Sequence, residues 1–349
     1  MLLGRRPPGS GASYGPGERA AVPRCGVDVR IVVTGGAGFV GANLVRHLVQ
    51  EKVGEVIVID DLSTGNVANL DGVDVQLHVG TILDRPLLDL AFDGADAIVH
   101  LAARPSVPRS IADPMASHHV NATGTLEVLE AARRARDPHV IVASSSSVYG
   151  ANPTLPKVEH LRAEPMSPYA VSKLATETYS LVYGTCFGLP VLAFRFFNVY
   201  GPLQPARHAY AAALPMFIDA ALHGQPLPID GDGEQTRDFT YVGSVSQAIT
   251  AALVRRVTCD QPVNLAFGSR RTILEVVAEL EGLMGVRLPR VHRPPRAGDV
   301  RHSQADGSRL AELLPGVAPV PFRDGLAATL EWFRRPHTDS EVEPGGSLV

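Results

Sequence analysis

A glycine-rich turn between an apolar run and an amphipathic segment constrains this chain more than any other feature. Residues 29–34 form a short run rich in β-branched residues, as in a buried strand, and Gly35-Gly36-Ala37-Gly38-Phe39-Val40-Gly41 follows directly. Residues 43–50 then have the pattern of a helix. Glycines let a backbone turn tightly and approach a pyrophosphate, which the free N–H groups of the helix can bind. The sequence therefore predicts a strand, a turn and a helix that hold a dinucleotide.

An acidic pair follows this turn at a spacing that points to one cofactor. Residues 55–59 form a second apolar run, which ends in Asp60 and Asp61. They stand about twenty residues after the last glycine, where an acid accepts hydrogen bonds from the adenosine ribose and repels a 2′-phosphate. The predicted cofactor is therefore NAD and not NADP.

Strand-like and helix-like segments alternate through the first half of the chain. The predicted strands continue at residues 73–79, 97–101, 140–144 and 189–197, and the predicted helices lie at residues 87–92, 116–136, 168–187 and 210–222. Such alternation forms βαβ units and a parallel sheet, with ligands beyond the carboxyl ends of the strands. We predict an α/β protein with a doubly wound parallel sheet of the Rossmann type and a smaller C-terminal substrate-binding lobe.

The predicted domains follow from the changes in composition. Residues 1–28 are expected to be a disordered extension, residues 29–200 the NAD-binding domain, residues 201–336 mainly the substrate lobe, and residues 337–349 a disordered tail. A later strand and helix are expected to return from the second half to the NAD-binding domain.

Four consecutive serines, Ser144 to Ser147, end one predicted strand, and Tyr169 and Lys173 follow on one face of the next helix. A hydroxyl buried without a partner is costly, so the serines are expected at the edge of the sheet, facing a ligand. Tyrosine has an ordinary pKa of about 10, and a neighbouring ammonium favours its phenolate. Together these residues are predicted to remove a proton from a sugar or alcohol hydroxyl. An ordinary surface pair is the alternative, which the nucleotide turn weakens.

Composition excludes several classes of function. The chain has 349 residues and a net charge of -4, which argues against binding to nucleic acid. Cys25, Cys186 and Cys259 lie far apart, so neither a disulfide framework nor a metal site is predicted. No secretory signal and no apolar run of about 18 residues occurs. We expect a cytoplasmic protein without a membrane partner.

These motifs together, from about residue 29 to residue 332, resemble the extended short-chain dehydrogenase/reductase family, within it the nucleotide-sugar epimerases and dehydratases, and most of all the UDP-hexose 4-epimerases. The resemblance implies that Ser145 and Tyr169 are catalytic, with Tyr169 as the base, and that Lys173 assists Tyr169 and binds the nicotinamide ribose. The implied NAD site consists of Gly35, Gly38, Phe39, Val40, Gly41, Asp60, Asp61, Ser63, Thr64, Gly65, Thr81, Ile82, Leu101, Ala102, Ala103, Tyr169 and Lys173. The implied substrate site consists of Ser106, Val107, Ser145, Ser146, Tyr169, Asn198, Pro228, Ile229, Asp230, Arg237, Arg296, Asp299 and Ser303.

Several of these residues have more specific implied roles. The resemblance makes Asn198, Arg237 and Arg296 the diphosphate ligands and Asp299 the ligand of the nucleotide ribose. Residues 228–230 would face the uracil. Thr81 departs from the family, which usually has an aspartate at this place.

The implied reaction inverts carbon 4 of a UDP-hexose. The 4-hydroxyl is oxidised to a ketone, the ketone rotates about the diphosphate, and its other face is reduced, which regenerates NAD. A homodimer through the helices at residues 116–136 and 168–187 is also implied.

Competing functions are a sugar 4,6-dehydratase, a UDP-glucuronate decarboxylase and a non-catalytic NAD-binding protein. Dehydratases that resemble this chain carry Asp-Glu where Ser146 and Ser147 stand, and the presence of Tyr169 and Lys173 speaks against a non-catalytic protein. The sugar stays open. Ser303 is small enough to make room for an N-acetyl group, and the serines offer hydroxyls to a carboxylate. The glucose/galactose, N-acetylglucosamine/N-acetylgalactosamine and glucuronate/galacturonate series therefore all remain candidates.

Overall fold

The computed structural model describes residues 29–206, 212–294 and 300–335. Its strands are β1 (Arg30–Thr34), β2 (Glu55–Asp60), β3 (Gln76–Val79), β4 (Ala97–His100), β5 (His139–Ser145), β6 (Val191–Phe196), β7 (Val199–Tyr200), β8 (Leu227–Asp230), β9 (Thr236–Asp238), β10 (Thr240–Tyr241), β11 (Val263–Leu265), β12 (Arg270–Thr272) and β13 (Arg290–Arg293). Its α-helices are α1 (Phe39–Gln50), α2 (Arg85–Phe92), α3 (Val107–Ala112), α4 (Pro114–His118), α5 (Gly124–Arg134), α6 (Pro168–Phe187), α7 (Ala213–Leu222), α8 (Val242–Arg255), α9 (Ile273–Met284), α10 (Ser308–Leu313) and α11 (Phe322–Arg334).

Seven parallel strands form the central sheet in the order β3-β2-β1-β4-β5-β6-β11. The chain winds outward from β1 to β2 and β3, and then returns to β4 on the other side. The direction of winding therefore reverses between β1 and β4, and ligands bind outside the carboxyl ends of the strands at such a switch point. The predicted α/β fold with a doubly wound parallel sheet is confirmed.

Each face of the sheet is covered by helices whose apolar residues recur every three or four positions. On one face, Leu44 and Leu48 of α1 pack with Val245 and Ile249 of α8. On the other face, α2, α5 and part of α6 cover the strands, and Leu88 and Val128 are fully buried there. Because β11 and α8 both belong to this assembly, the second half of the chain completes the sheet.

A separate apolar core lies in the C-terminal lobe. It joins α7, β8, α9 and α11 through buried side chains that include Ile218, Leu227, Val277 and Leu326. This lobe stands next to the carboxyl end of the sheet, since β7, which follows β6 closely, pairs with β10.

The predicted helix at residues 116–136 is wrong in one respect. A wider π-helical turn, His119–Thr123, interrupts it between α4 and α5. The predicted strand at residues 73–79 begins only at Gln76, and the predicted helix at residues 210–222 is described only from Ala213.

The predicted terminal extension and tail lie outside the described residues. Within the described ranges, no helix combines the length and the apolar character needed to cross a membrane.

Candidate active site

The glycine turn after β1 leaves no room for side chains. Gly35 has a φ of +73°, in the left-handed region that favours glycine, and a Cβ atom there would lie 2.6 Å from the backbone nitrogen of Ala102. A Cβ atom on Gly41 would lie 2.1 Å from the carbonyl oxygen of Gly35. Helix α1 begins at Phe39, so its first N–H groups have no partners within the helix. This bare backbone at a helix N-terminus has the shape and polarity that a pyrophosphate requires.

Asp60, at the end of β2, is fixed against the same turn. One carboxylate oxygen accepts from the backbone nitrogen of Ala37 at 2.9 Å and the other from that of Leu62 at 2.9 Å. Burial raises the pKa of Asp60, while these backbone donors oppose the rise. Asp61 is exposed and accepts from the backbone and the hydroxyl of Ser63. Two acids beside the turn supply acceptors for a ribose and repel a further phosphate, as NAD requires.

A cavity of about 1130 Å³ extends from the glycine turn to the C-terminal lobe. The predicted site residues on its wall are Gly35, Gly38, Phe39, Val40, Gly41, Asp60, Asp61, Ser63, Thr64, Ile82, Leu101, Ala102, Ala103, Val107, Ser145, Ser146, Tyr169, Lys173, Asn198, Arg237 and Ser303. The predicted site residues away from this wall are Gly65, Thr81, Ser106, Pro228, Ile229 and Asp230. Arg296 and Asp299 lie outside the described residues.

The residues away from the wall have local roles in the fold. Gly65 packs beside Asp60, since a Cβ atom there would lie 2.7 Å from a carboxylate oxygen. The hydroxyl of Thr81 accepts from the backbone nitrogen of Leu83, and that of Ser106 caps α3. Ile229 is fully buried in the core of the C-terminal lobe.

Ser145, Tyr169 and Lys173 all line the wall of the cavity. Ser145 ends β5, and its hydroxyl accepts from the backbone and the hydroxyl of Ser147 at 3.1 and 2.9 Å. Tyr169 stands in the first turn of α6, which the Ser167 side chain caps. One turn later, the Lys173 ammonium donates to the carbonyl oxygen of Ala143 at 2.9 Å. The strand end and the helix start thus place a hydroxyl, a phenol and an ammonium on the cavity wall.

The electrostatics of Tyr169 differ from the prediction. Burial raises the pKa of its phenol, and a hydrogen bond with Ser145 opposes the rise. Burial also lowers the pKa of Lys173 to about 8, and its ammonium is engaged by a backbone carbonyl. The expectation that Lys173 brings the pKa of Tyr169 down is therefore wrong for these residues alone, because desolvation of the phenol dominates and the hydrogen bond with Ser145, not the ammonium of Lys173, opposes it.

A chain of buried polar groups lies behind these residues. The Nδ1 atom of His100 is 2.8 Å from the Thr34 hydroxyl, and its Nε2 atom is 3.0 Å from the Thr125 hydroxyl. The Thr125 hydroxyl lies 3.0 Å from that of Thr176 in α6. Burial, assisted by the charge of Lys173, lowers the pKa of His100 to about 3. A neutral imidazole therefore connects β1 with the helix that carries Tyr169.

Asn121, in the π-helical turn, connects the cavity wall to the same helix. Its side-chain oxygen accepts from the backbone nitrogen of Arg104 at 2.7 Å, and its amide nitrogen donates to the Ser172 hydroxyl at 2.9 Å. The Ser172 hydroxyl donates in turn to the carbonyl oxygen of Tyr169. The prediction did not select Asn121 for the site, because an asparagine in a helical pattern gives no sign of an inward orientation.

Ser144 does not offer its hydroxyl to a ligand as predicted. That hydroxyl donates to Glu177 at 2.7 Å, and Arg195 donates to both carboxylate oxygens of Glu177 at 2.6 and 2.8 Å. The side chains of Arg195 and Glu177 are only 5% and 4% exposed. A buried ion pair thus anchors the strand end immediately before Ser145.

The far end of the cavity is built from the second half of the chain. The Asn198 side chain donates to the carbonyl oxygen of Asp238 at 3.2 Å, and Arg237 donates to the carbonyl oxygens of Thr236 and Arg301. Ser303 is held there by a backbone hydrogen bond to Thr236. An amide, a guanidinium and a small hydroxyl residue therefore line the end opposite the glycine turn.

Lys157 also lines the cavity, although it was not among the predicted site residues. A lone lysine in a proline-containing loop has no motif that would mark it. Within the described residues, no cluster of His, Cys, Asp or Glu has the arrangement of a metal site.

Comparisons with known proteins agree with this geometry. A model of the NAD dependent epimerase/dehydratase family matches residues 31–266. The UDP-glucose 4-epimerase of Mycolicibacterium smegmatis is 36% identical over 312 residues, which cover 88% of this chain and 99% of that protein.

Solved structures show the same similarity. The UDP-N-acetylglucosamine 4-epimerase of Methanobrevibacter ruminantium, in complex with UDP-N-acetylmuramic acid, has a TM-score of 0.83 and 34% identity, covering 88% of this chain and 98% of that chain. The UDP-glucose 4-epimerase of Thermus thermophilus, in complex with NAD, has a TM-score of 0.79 and 33% identity, covering 88% of this chain and 99% of that chain.

Proposed function

The chain belongs to the NAD dependent epimerase/dehydratase family, and we propose that it is an epimerase that inverts carbon 4 of a UDP-hexose. Its cofactor is NAD. The observation that carries the proposal is the grouping of Ser145, Tyr169 and Lys173 in a cavity that begins at the glycine turn and ends at Arg237. A cofactor, a proton acceptor and a phosphate-binding cation are thereby available along one continuous space.

Each residue has a distinct part in the proposed reaction. Bound NAD supplies the acceptor and the donor of hydride at carbon 4. Tyr169 takes the proton of the 4-hydroxyl and later returns a proton to the ketone, while Ser145 orients the sugar oxygen by hydrogen bonding. Lys173 holds the nicotinamide ribose and adds positive charge beside the phenolate that forms.

The far end of the cavity would hold the rest of the substrate. Arg237 and Asn198 are proposed to anchor the diphosphate, for which a guanidinium is well suited. The ketone then turns about this anchor and presents its other face, and the small Ser303 leaves room for the turning ring. The C-terminal lobe is thus proposed as the nucleotide-sugar domain and residues 29–200 as the core of the NAD domain.

The residues argue against loss of water as the main reaction. A 4,6-dehydratase needs a further acid and base beside the tyrosine, and here Ser146 and Ser147 occupy that part of the wall. We therefore prefer epimerisation, and a decarboxylase remains the second alternative.

Incubation with single UDP-sugars tests the proposal. UDP-glucose, UDP-N-acetylglucosamine and UDP-glucuronate are each incubated with the protein, and the products are separated by chromatography. We expect the C4 epimer from at least one of them. A 4-keto-6-deoxy sugar or a pentose as the main product would replace the proposed function with one of its alternatives.

We also propose a homodimer in the cytoplasm. Helix α6 exposes large apolar side chains, with Val171 51%, Tyr179 43%, Val182 44% and Phe187 48% exposed. Helices of two subunits that pack along such a surface would cover it. Light scattering at micromolar concentration should give twice the mass of the chain, and a monomer would contradict this proposal.

A further inference from the structure

Lys157 is a buried cation that the reaction described above does not use. Its side chain is only 4% exposed, although lysine is almost never fully buried without a charged partner. Across the described residues, no carboxylate lies within the 4.0 Å of an ion pair with it. Its ammonium donates to the carbonyl oxygen of Asn152. An ammonium has three donors, so the described structure leaves capacity for a ligand.

The backbone fixes the position of Lys157 from both sides. Its nitrogen donates to the carbonyl oxygen of Gln304 at 2.7 Å, and its carbonyl accepts from the nitrogen of Asp306 at 2.9 Å. Its Nζ atom lies 6.0 Å from the centroid of the Tyr149 ring. The loop is therefore tied to the C-terminal lobe, and the side chain is held against an aromatic wall instead of extending into solvent.

Lys157 lines the cavity that holds Ser145 and Tyr169. The wall of this cavity also includes Ser147, Gly150 and Ser303. Lys157 also lines an adjoining cavity of about 380 Å³ together with Gly150 and Met166. It thus borders both the large cavity and this smaller one.

The acidic residues of the cavity wall are engaged elsewhere. Asp60 and Asp61 belong to the nucleotide end, and Asp113 lies 3.5 Å from Arg104. Apart from these three aspartates, the described part of the wall has no acidic side chain. Burial lowers the pKa of Lys157, and the charge of Glu164 opposes this shift. A bound anion would compensate the buried ammonium.

We propose that Lys157 binds a carboxylate at carbon 6 of the hexose, so that the preferred substrates are UDP-hexuronates. This inference rests on the proposed C4 epimerisation. Carbon 6 is attached to carbon 5, next to the carbon that must meet Ser145 and Tyr169, so its carboxylate falls on the neighbouring wall. The hydroxyl of Ser146 lines the same cavity and adds a donor.

The experiment compares matched substrates that differ only at carbon 6. Values of kcat/KM are measured for UDP-glucuronate against UDP-glucose, and for UDP-N-acetylglucosaminuronate against UDP-N-acetylglucosamine. The variants are Lys157→Met and Lys157→Gln, both without the charge. Arg162→Met is the control, because it removes an exposed cation of the same loop that does not line the cavity.

The wild-type protein should prefer the uronate of at least one pair. Either Lys157 variant should lower kcat/KM for the uronate by about 10- to 100-fold, the usual range for a hydrogen bond to a charged group, and leave the neutral partner within about threefold. The control should change neither value.

Several outcomes would overturn the inference. One is a wild-type enzyme that epimerises the neutral sugars as well as the uronates, a result that needs no variant. Another is an equal loss on both members of a pair, which would make Lys157 a structural support of the Asn152 loop. If no UDP-sugar yields a C4 epimer, it is the proposed function itself that fails.

Discussion

Acid should destabilise this protein through His100, because the folded protein buries its imidazole in the neutral form. The imidazole is 3% exposed, and its pKa falls from 6.5 to about 3 because burial disfavours the charged form. In the unfolded chain the same group protonates near pH 6.5. The unfolded state therefore binds more protons below this pH, so the stability from this group is complete above pH 6.5 and is lost as the pH falls.

The loss of stability grows with the distance by which the pH falls below 6.5, the pKa of the unfolded imidazole. Between pH 8 and pH 5 the unfolded imidazole becomes protonated while the folded one stays neutral, which costs about 2 kcal/mol at 1.36 kcal/mol per pH unit below 6.5. Near pH 3 the loss levels off at about 5 kcal/mol. Other groups also titrate in this range, so a comparison with a His100 variant is needed to isolate the effect.

Urea unfolding of the wild type and of His100→Gln at pH 8 and pH 5 provides that comparison. The wild type should be the more stable at pH 8, because His100 joins Thr34 to Thr125. At pH 5 the difference between the two proteins should shrink by about 2 kcal/mol. His160→Gln changes an exposed histidine and is the matched control. A difference that is the same at both pH values would refute the reasoning.

Three further predictions concern the cofactor and the catalytic residues. Purified protein should carry NAD, which denaturation should release, and release of NADP in its place would disprove the assignment of Asp60. Gly41→Ala should lose NAD, because its Cβ atom would lie 2.1 Å from a carbonyl oxygen. Gly282→Ala should retain NAD, because the nearest atom to its Cβ would be 3.5 Å away. Equal NAD content in both variants would contradict the steric argument. Ser145→Ala should lower turnover less than a change of Tyr169, and Lys173→Met should reduce both turnover and NAD affinity; unchanged steady-state rates for both variants would favour an ordinary surface pair.

The sequence predicted those parts of the fold that depend on local signals. Helix α6 has the predicted bounds, because Ser167 caps its start, Pro168 occupies its first turn, and Gly188 ends it with a φ of +72°. The glycine turn and the alternation of strands and helices are equally local, and together they indicate a doubly wound parallel sheet. The strand ends could therefore be predicted to meet.

Other features depend on contacts between distant segments and could not be predicted. The π-helical turn has the same apolar periodicity as an uninterrupted helix, so Asn121 gave no sign of its inward position. Lys157 reaches the cavity because its loop pairs with residues around Ala305, about 150 positions later in the chain. The raised pKa of Tyr169 reflects burial, which a spacing of four residues does not reveal.

The most direct test of the central claim is the turnover of Tyr169→Phe with the best UDP-sugar substrate. The variant removes only the phenolic oxygen and keeps the ring, so the fold and the binding of NAD and UDP-sugar should be preserved. If Tyr169 is the base, the rate of C4 epimerisation should fall by roughly a hundredfold or more. A variant that binds both ligands and retains more than about a tenth of the wild-type rate would contradict the proposed mechanism.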